Sequence, residues 1–196
     1  NSFNPGKVPK TMNNQHTTQT LSYYNQNAAQ FSNSTQSLDF SSVQDKFLSF
    51  LQPQAHILDF GCGPGRDTKY FLSHGCSTDA IDGSEEFCRI ASEYTGVPVK
   101  QMLFQELNAS EEYDGIWACS SILHSTYDEL KDILKKLARA LKKEGILYAS
   151  FKYGDFEGMR NGRYFIDMTE DKLQRILQET DVFQICLLYT SPSPRD

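Results

Sequence analysis

With 196 residues, 39% of them hydrophobic and including 13 phenylalanines, 10 tyrosines and a single tryptophan, the chain is long enough to bury one sizeable core. Its formal net charge of −6, with basic residues gathered only around positions 131–143, disfavours the phosphate neutralisation on which non-specific nucleic-acid binding rests. No apolar run approaches the roughly 20 residues of a membrane helix, no charged-then-apolar signal opens the chain, and five cysteines without a C-x-x-C pair indicate neither a metal site nor a disulfide framework, so a cytoplasmic protein with reduced thiols is expected.

Residues 1–19 read as a leader, disordered or foreign to the fold: "NSFNPGKVPKT" has no periodicity, and Met12 is the expected natural start. Over residues 20–35, Tyr23, Tyr24, Ala28 and Phe31 recur at helical spacing; a second helix carries Phe40, Val43, Phe47 and Phe50 or Leu51 and stops at Pro53. An alternation follows: strand "AHILDF", a helix over 67–74, strand "STDAID", a helix over 84–94, then strands "VKQMLF" and "YDGIWAC". A long helix is predicted over 127–143, with Leu130, Ile133, Leu134, Leu137, Ala138 and Leu141 on one face, a capping box at Thr126 and Glu129, and Gly145 as its stop. Strand "GILYASF", a helix over 169–179 and a short strand "VFQI" complete a single domain over 20–185. Strands alternating with helices predict an α/β fold, a doubly wound and mostly parallel sheet that binds ligands at the carboxyl ends of its strands. The last segment, "CLLYTSPSPRD" over 186–196, resembles the reading-frame translation of a sequencing adapter and is expected to be an artefactual tail.

The first strand runs into "FGCGPGRD", a G-x-G-x-G loop at Gly61, Gly63 and Gly65 that lets a ligand approach bare backbone. It is not the G-x-G-x-x-G fingerprint of dinucleotide folds, and Asp59 and Asp67 on either side of it would repel a phosphate. Asp82 ends the second strand about 20 positions after Gly61, where a carboxylate accepts hydrogen bonds from ribose hydroxyls. A ribose with cationic groups and no phosphate describes S-adenosylmethionine. Tyr148 and Lys152 have the Y-x-x-x-K spacing of short-chain dehydrogenases, but that pair needs a helix; in a strand it is separated by roughly 13 Å.

"ILDFGCGPGRDTKYFLSHG", "AIDGSEEFCRIA", "YDGIWACSSILH" and "LKKEGILYASFK", in that order, resemble the successive motifs of class I S-adenosylmethionine-dependent methyltransferases, and the G-C-G-x-G-R-D form is similar to the small bacterial tellurite-resistance-type members. The resemblance implies a Rossmann-like fold and S-adenosyl-L-methionine as cofactor. It implies the backbone of Gly61, Cys62 and Gly63 along the methionine part, with Asp59 near the ammonium and Asp67 at the helix start. It also implies Asp82 on the ribose, Gly83 and Ser84 beside the adenine, Phe104 and Gln105 against the adenine, Cys119 and Ser120 at the substrate mouth, and Tyr24 on a lid helix touching the cofactor carboxylate. Substrate-side candidates are His124, Arg163 and Tyr164, the last two in the loop-like "NGRYF". Three departures stand out: Leu103 occupies a position where an acid is common, "KKEG" replaces a Pro-Gly-Gly turn, and the family's last antiparallel strand is expected to be missing. No residue presents itself as a base, so the acceptor is expected to be an already nucleophilic small molecule such as a thiol or metalloid oxyanion, with the protein a monomer. The alternatives are a non-catalytic or truncated cofactor-binding module and, third, an NAD-dependent reductase.

Overall fold

The computed structural model describes residues 14–190. Met12 and the last six residues of the expected tail lie outside them. The elements in chain order are α1 (Asn14–Thr35), α2 (Ser41–Leu48), β1 (His56–Phe60), α3 (Arg66–Ser73), β2 (Ser77–Asp82), α4 (Glu85–Thr95), β3 (Lys100–Gln101), β4 (Tyr113–Ala118), α5 (Tyr127–Ala140), β5 (Leu141–Ala149), β6 (Glu157–Arg160), β7 (Arg163–Ile166) and α6 (Glu170–Thr180). Five strands form one sheet in the order β3-β2-β1-β4-β5, every pair parallel, and β6 and β7 form a separate antiparallel hairpin. This is the doubly wound α/β fold that the alternation predicts. Among the described residues no strand pairs with the far edge of β5, and no helix is long and apolar enough to cross a membrane.

Side chains alternate across each strand, and here both faces are apolar because both are covered. On one face Leu58, Phe60, Ile116 and Ala118 pack with Leu130, Ile133, Leu134 and Leu137 of α5 and Ile176 of α6. On the other Ile57 and Trp117 pack with Phe47 of α2 and Phe71 of α3. Gly115 in β4 makes the second contact possible: a Cβ there would stand 2.8 Å from the Phe47 ring and 2.9 Å from Leu51.

The caps form as read. Thr126 Oγ1 accepts from the Glu129 amide at 3.2 Å while Glu129 Oε2 accepts from the Thr126 amide at 2.9 Å, closing the reciprocal box that satisfies two orphan donors. The stop does not. α5 ends at Ala140 and the chain turns straight into β5 at Leu141, because the carbonyls of Arg139 and Ala140 are taken by the amides of Glu111 and Glu112 rather than by a glycine turn. Pairing with β4 passes from Tyr113↔Leu141 to Gly115↔Ile146, so residues 142–145 bulge out of the ladder with Glu144 at φ 63°.

Other boundaries shift for local reasons. "VKQMLF" contributes two residues to the sheet: its last ladder bond runs from the Met102 amide to the Asp82 carbonyl, after which Glu106 Oε2 takes the Leu103 amide and residues 104–106 wind into a 3₁₀ turn. "VFQI" forms no strand; Asp181 in the left-handed region closes α6 and the chain runs on without pairing, Phe183 packing on the core. Residues 14–19, placed in the leader from sequence, are helical and continuous with α1. "NGRYF" is not a loop but the turn and second strand of the β6–β7 hairpin, with Asn161 at φ 52° and Gly162 at φ 81°, the positive φ pair of a tight hairpin turn.

Candidate active site

A cavity of about 400 Å³ opens at the carboxyl ends of β1, β2, β3 and β4 and is roofed by α1 through Thr17, Thr20, Leu21, Tyr24 and Phe31. Of the residues predicted from sequence, Tyr24, Gly61, Cys62, Gly63, Asp67, Asp82, Gly83, Phe104, Gln105, Cys119, Ser120 and His124 line it; Asp59, Ser84, Arg163 and Tyr164 do not.

The loop after β1 is shaped by its glycines. Gly61 lies at φ 83°, and a Cβ there would fall 2.5 Å from Ser121 Cβ; Gly63 lies at φ 54° with nothing within 4 Å of where a Cβ would stand. The amides of Gly61 and Cys62 both donate to the Ile81 carbonyl, at 3.0 and 2.9 Å, which ties the loop to the end of β2. There Asp82 holds it a second time: Oδ2 accepts from the Gly63 amide at 2.9 Å and Oδ1 from the Ser84 amide at 2.8 Å. Each carboxylate oxygen keeps a lone pair for a ligand hydroxyl. Burial pushes the Asp82 carboxyl up to about 6 against the opposing pull of these two amides. Beyond it Met102, Leu103, Phe104 and Gly83 form an apolar slot, with Phe104 stacked on Phe60 at 4.4 Å between centroids. A carboxylate with a free lone pair on each oxygen beside an apolar slot has the chemistry to suit an adenosine, and Asp67 in the first turn of α3 is wrongly charged for a pyrophosphate.

The two acids that flank the loop part company. Asp59 shares a strand face with Ile57 and is 1% exposed beneath α3, where its Oδ2 accepts from Thr68 Oγ1 at 2.6 Å. Burial, then the charge of Asp67, hold its carboxyl well above the usual carboxylate range, and the bond to Thr68 ties the strand before the loop to the helix after it. Asp67 is fully engaged: Oδ1 accepts from Gln44 Nε2 at 2.6 Å and Arg66 Nε at 3.0 Å, Oδ2 from Trp117 Nε1 at 2.9 Å and Arg66 Nη2 at 3.2 Å. Gln44, Trp117 and Thr68 come from three different segments, and no spacing in the sequence links them; Arg66 sits inside the quoted "GRD".

At the opposite wall, His124 Nδ1 lies 2.7 Å from the Tyr164 carbonyl and Nε2 lies 2.8 Å from the Tyr24 hydroxyl. A carbonyl only accepts, so the proton is on Nδ1, and Tyr24 donates to Nε2. Arg163 Nη1 in turn donates to the Tyr24 oxygen at 3.3 Å from behind. Burial pulls His124 down to about 4, leaving a neutral imidazole with both nitrogens occupied, and raises the Tyr24 phenol. Burial also pushes the Cys119 thiol up to about 12, so it offers no thiolate.

Residues 57–145 match the model of a methyltransferase domain. Malonyl-[acyl-carrier protein] O-methyltransferase of Enterobacter lignolyticus (strain SCF1) is 29% identical over 99 residues, which is 47% of this chain and 37% of that protein. This chain thus spans 37% of the length of the curated relative it matches. The solved structure of the Burkholderia thailandensis 1,6-didemethyltoxoflavin-N1-methyltransferase, with 1,6-didemethyltoxoflavin and S-adenosylhomocysteine bound, superposes with a TM-score of 0.71 at 21% identity, covering 90% of this chain and 82% of that one. A Haloferax volcanii putative methyltransferase in complex with the Trm112 activator gives 0.67 at 14% identity over 80% and 75%. Residues 57–145 thus match a methyltransferase domain, and the fold that carries them is similar to that of solved methyltransferases.

Proposed function

We propose that the chain transfers the methyl group of S-adenosylmethionine to a small-molecule acceptor in a single in-line displacement. The observation that carries this is the Asp82 carboxylate, tied to the glycine loop by Gly63 and to α4 by Ser84, facing a cavity in a domain that matches methyltransferases. When bound, the cofactor supplies an activated methyl group whose leaving group departs as a neutral thioether. Asp82 accepts the ribose hydroxyls, Gly83, Phe104 and Gln105 take the adenine, and the backbone of Gly61, Cys62 and Gly63 lies along the methionine part. Asp59 and Asp67 keep the loop in place, with Ser84 capping α4. Cys119 and Ser120 border the acceptor. Tyr24, His124, Arg163 and Tyr164 form the far wall as one hydrogen-bonded unit.

That unit argues for an acceptor needing no proton removal. A base must have a free lone pair within reach of the acceptor, and the His124 lone pair is spent on Tyr24 while burial disfavours its protonation. Alignment of nucleophile, methyl carbon and sulfur is then the main contribution of the protein, worth on the order of 7–11 kcal/mol of the barrier. Thiolates and metalloid oxyanions suit the resemblance to tellurite-resistance-type enzymes; the relative named for malonyl-acyl carrier protein suggests carboxylates as well.

Calorimetric titration with S-adenosylmethionine, S-adenosylhomocysteine and NAD tests the reading: the first two are expected to bind and NAD is not. Binding of NAD alone would overturn it. Cofactor binding without methylation of thiols, metalloid oxyanions or carboxylates would turn the protein into a binding module.

A further inference from the structure

Among the described residues that line the cavity, Arg66 is the one permanently charged cation. Its side chain is 13% exposed and its orientation is fixed on three sides. Asp67 takes Nε and Nη2, the Phe40 ring lies 4.6 Å from the guanidinium carbon, and Cys119 Sγ is 3.9 Å from Nη2. These contacts use one edge and one face of the guanidinium. Nη1, with two hydrogens, has no protein partner among the described residues. The group stands over the β1 and β4 strand ends, beside Cys119, with β2 between it and the adenine slot at the end of β3.

We propose that Arg66 is a carboxylate-recognition residue, its Nη1 edge taking a carboxylate of a ligand held at the end of the cavity opposite the adenine slot. The inference rests on the methyltransferase reading above and extends it. A planar fork held rigid on one side by Asp67 is pre-organised for a planar anion on the other, and little side-chain entropy remains to be lost. Asp67 and Asp82 in the same cavity wall weigh against a dianion such as phosphate, so the charge that fits is single. Two carboxylates can reach this position, that of the methionine moiety and one carried by the methyl acceptor, and they differ in what their loss does.

The test uses the full chain, first checking that the wild type binds S-adenosylhomocysteine; failure there overturns the methyltransferase reading itself. Arg66→Met and Arg66→Lys are then titrated with S-adenosylhomocysteine and with 5′-methylthioadenosine, which keeps nucleoside and thioether but lacks the amino acid, and the wild-type and variant proteins saturated with S-adenosylhomocysteine are titrated with benzoate. Arg66→Met weakening S-adenosylhomocysteine by about tenfold or more while leaving 5′-methylthioadenosine unchanged assigns the carboxylate to the cofactor. Unchanged binding of both nucleosides with loss of benzoate binding assigns it to the acceptor. Arg66→Lys, which keeps the charge without the fork, is expected to lose less in the same arm, and it decides the matter alone should Arg66→Met fail to fold. Equal weakening of both nucleosides, or no change in either with benzoate binding absent or unaltered, overturns the proposal.

Discussion

Asp82 sits where a strand-end acid some twenty residues past a glycine loop is expected to sit, and its environment makes it a titrating group. Its carboxyl stands at about 6 in the folded protein against an ordinary value of 3.8. An ionised carboxylate accepts two ribose hydroxyls and a protonated one accepts fewer, so cofactor affinity is expected to fall as pH drops through about 6, and Asp82→Asn to remove that break. The linkage to folding has the opposite sense. The folded state binds the proton more tightly than the unfolded chain, so the stability this group contributes is present at acid pH and is lost as pH rises through about 6. Asp82→Ala should weaken S-adenosylhomocysteine binding by roughly 1.5–3 kcal/mol with folding retained, read by calorimetry between pH 5 and 8. Asp59 shows what a strand-end acid can hide. Its position next to the loop resembles Asp82's in sequence, yet it alternates with Ile57 onto the face that α3 covers, and only the strand period, applied strictly, separates the two.

Tyr24 is expected from sequence on a lid helix and lies in the cavity roof on α1, but its partners were not legible, because His124 lies 100 residues away and Arg163 lies 139 away. Tyr24→Phe leaves the buried Nε2 of His124 without a donor and is expected to cost about 1–3 kcal/mol in urea unfolding. A variant of unchanged stability would mean that the phenol is not held as described.

At the scale of elements, helices and strands with strong periodicity were readable, and their ends were readable only where a side chain makes the end. The Thr126 and Glu129 box starts α5 as expected. Its other end is set by the amides of Glu111 and Glu112, contributed by the segment leading into β4, and no local signal announces a partner from elsewhere. The β6–β7 hairpin is the reverse case: Asn161-Gly162 is the strongest short hairpin signal a sequence can carry, and it went unread because Arg163 and Tyr164 drew the segment into a substrate loop. Gly162 is at φ 81°, and a Cβ there would stand 3.1 Å from the Tyr23 ring. Gly162→Ala should therefore destabilise by about 1 kcal/mol or more, with faster amide exchange in both β7 and α1. Faster exchange confined to the turn would mean that hairpin and helix are not coupled.

For the molecule as a whole, the doubly wound parallel sheet and a cavity at the carboxyl ends of its strands followed from the alternation of strands and helices, and the open edge of β5 is in line with the expected loss of the last strand, while the strand order and the hairpin were not read. Beyond Ile185 the described residues add little to the core: Leu187, Leu188 and Tyr189 are 48%, 51% and 50% exposed. Deleting residues 186–196 is expected to move the melting temperature by no more than about 2 °C, since a loss of even 1 kcal/mol would shift a domain of this size by roughly 2–4 °C. A larger drop would place those residues in the fold. The roof of the cavity is another matter. α1 is fastened at its outer end by His16 to Glu129 at 3.0 Å, by Thr20 Oγ1 to the Tyr164 amide at 3.0 Å and by the Tyr24 hydroxyl to His124. On the function proposed above, a nucleoside lying beneath that helix leaves only when these bonds open. On that reading residence time belongs to the clasp between the first helix and the last hairpin, and His16 and Glu129, which do not line the cavity, would lengthen or shorten it without altering how either ligand is gripped.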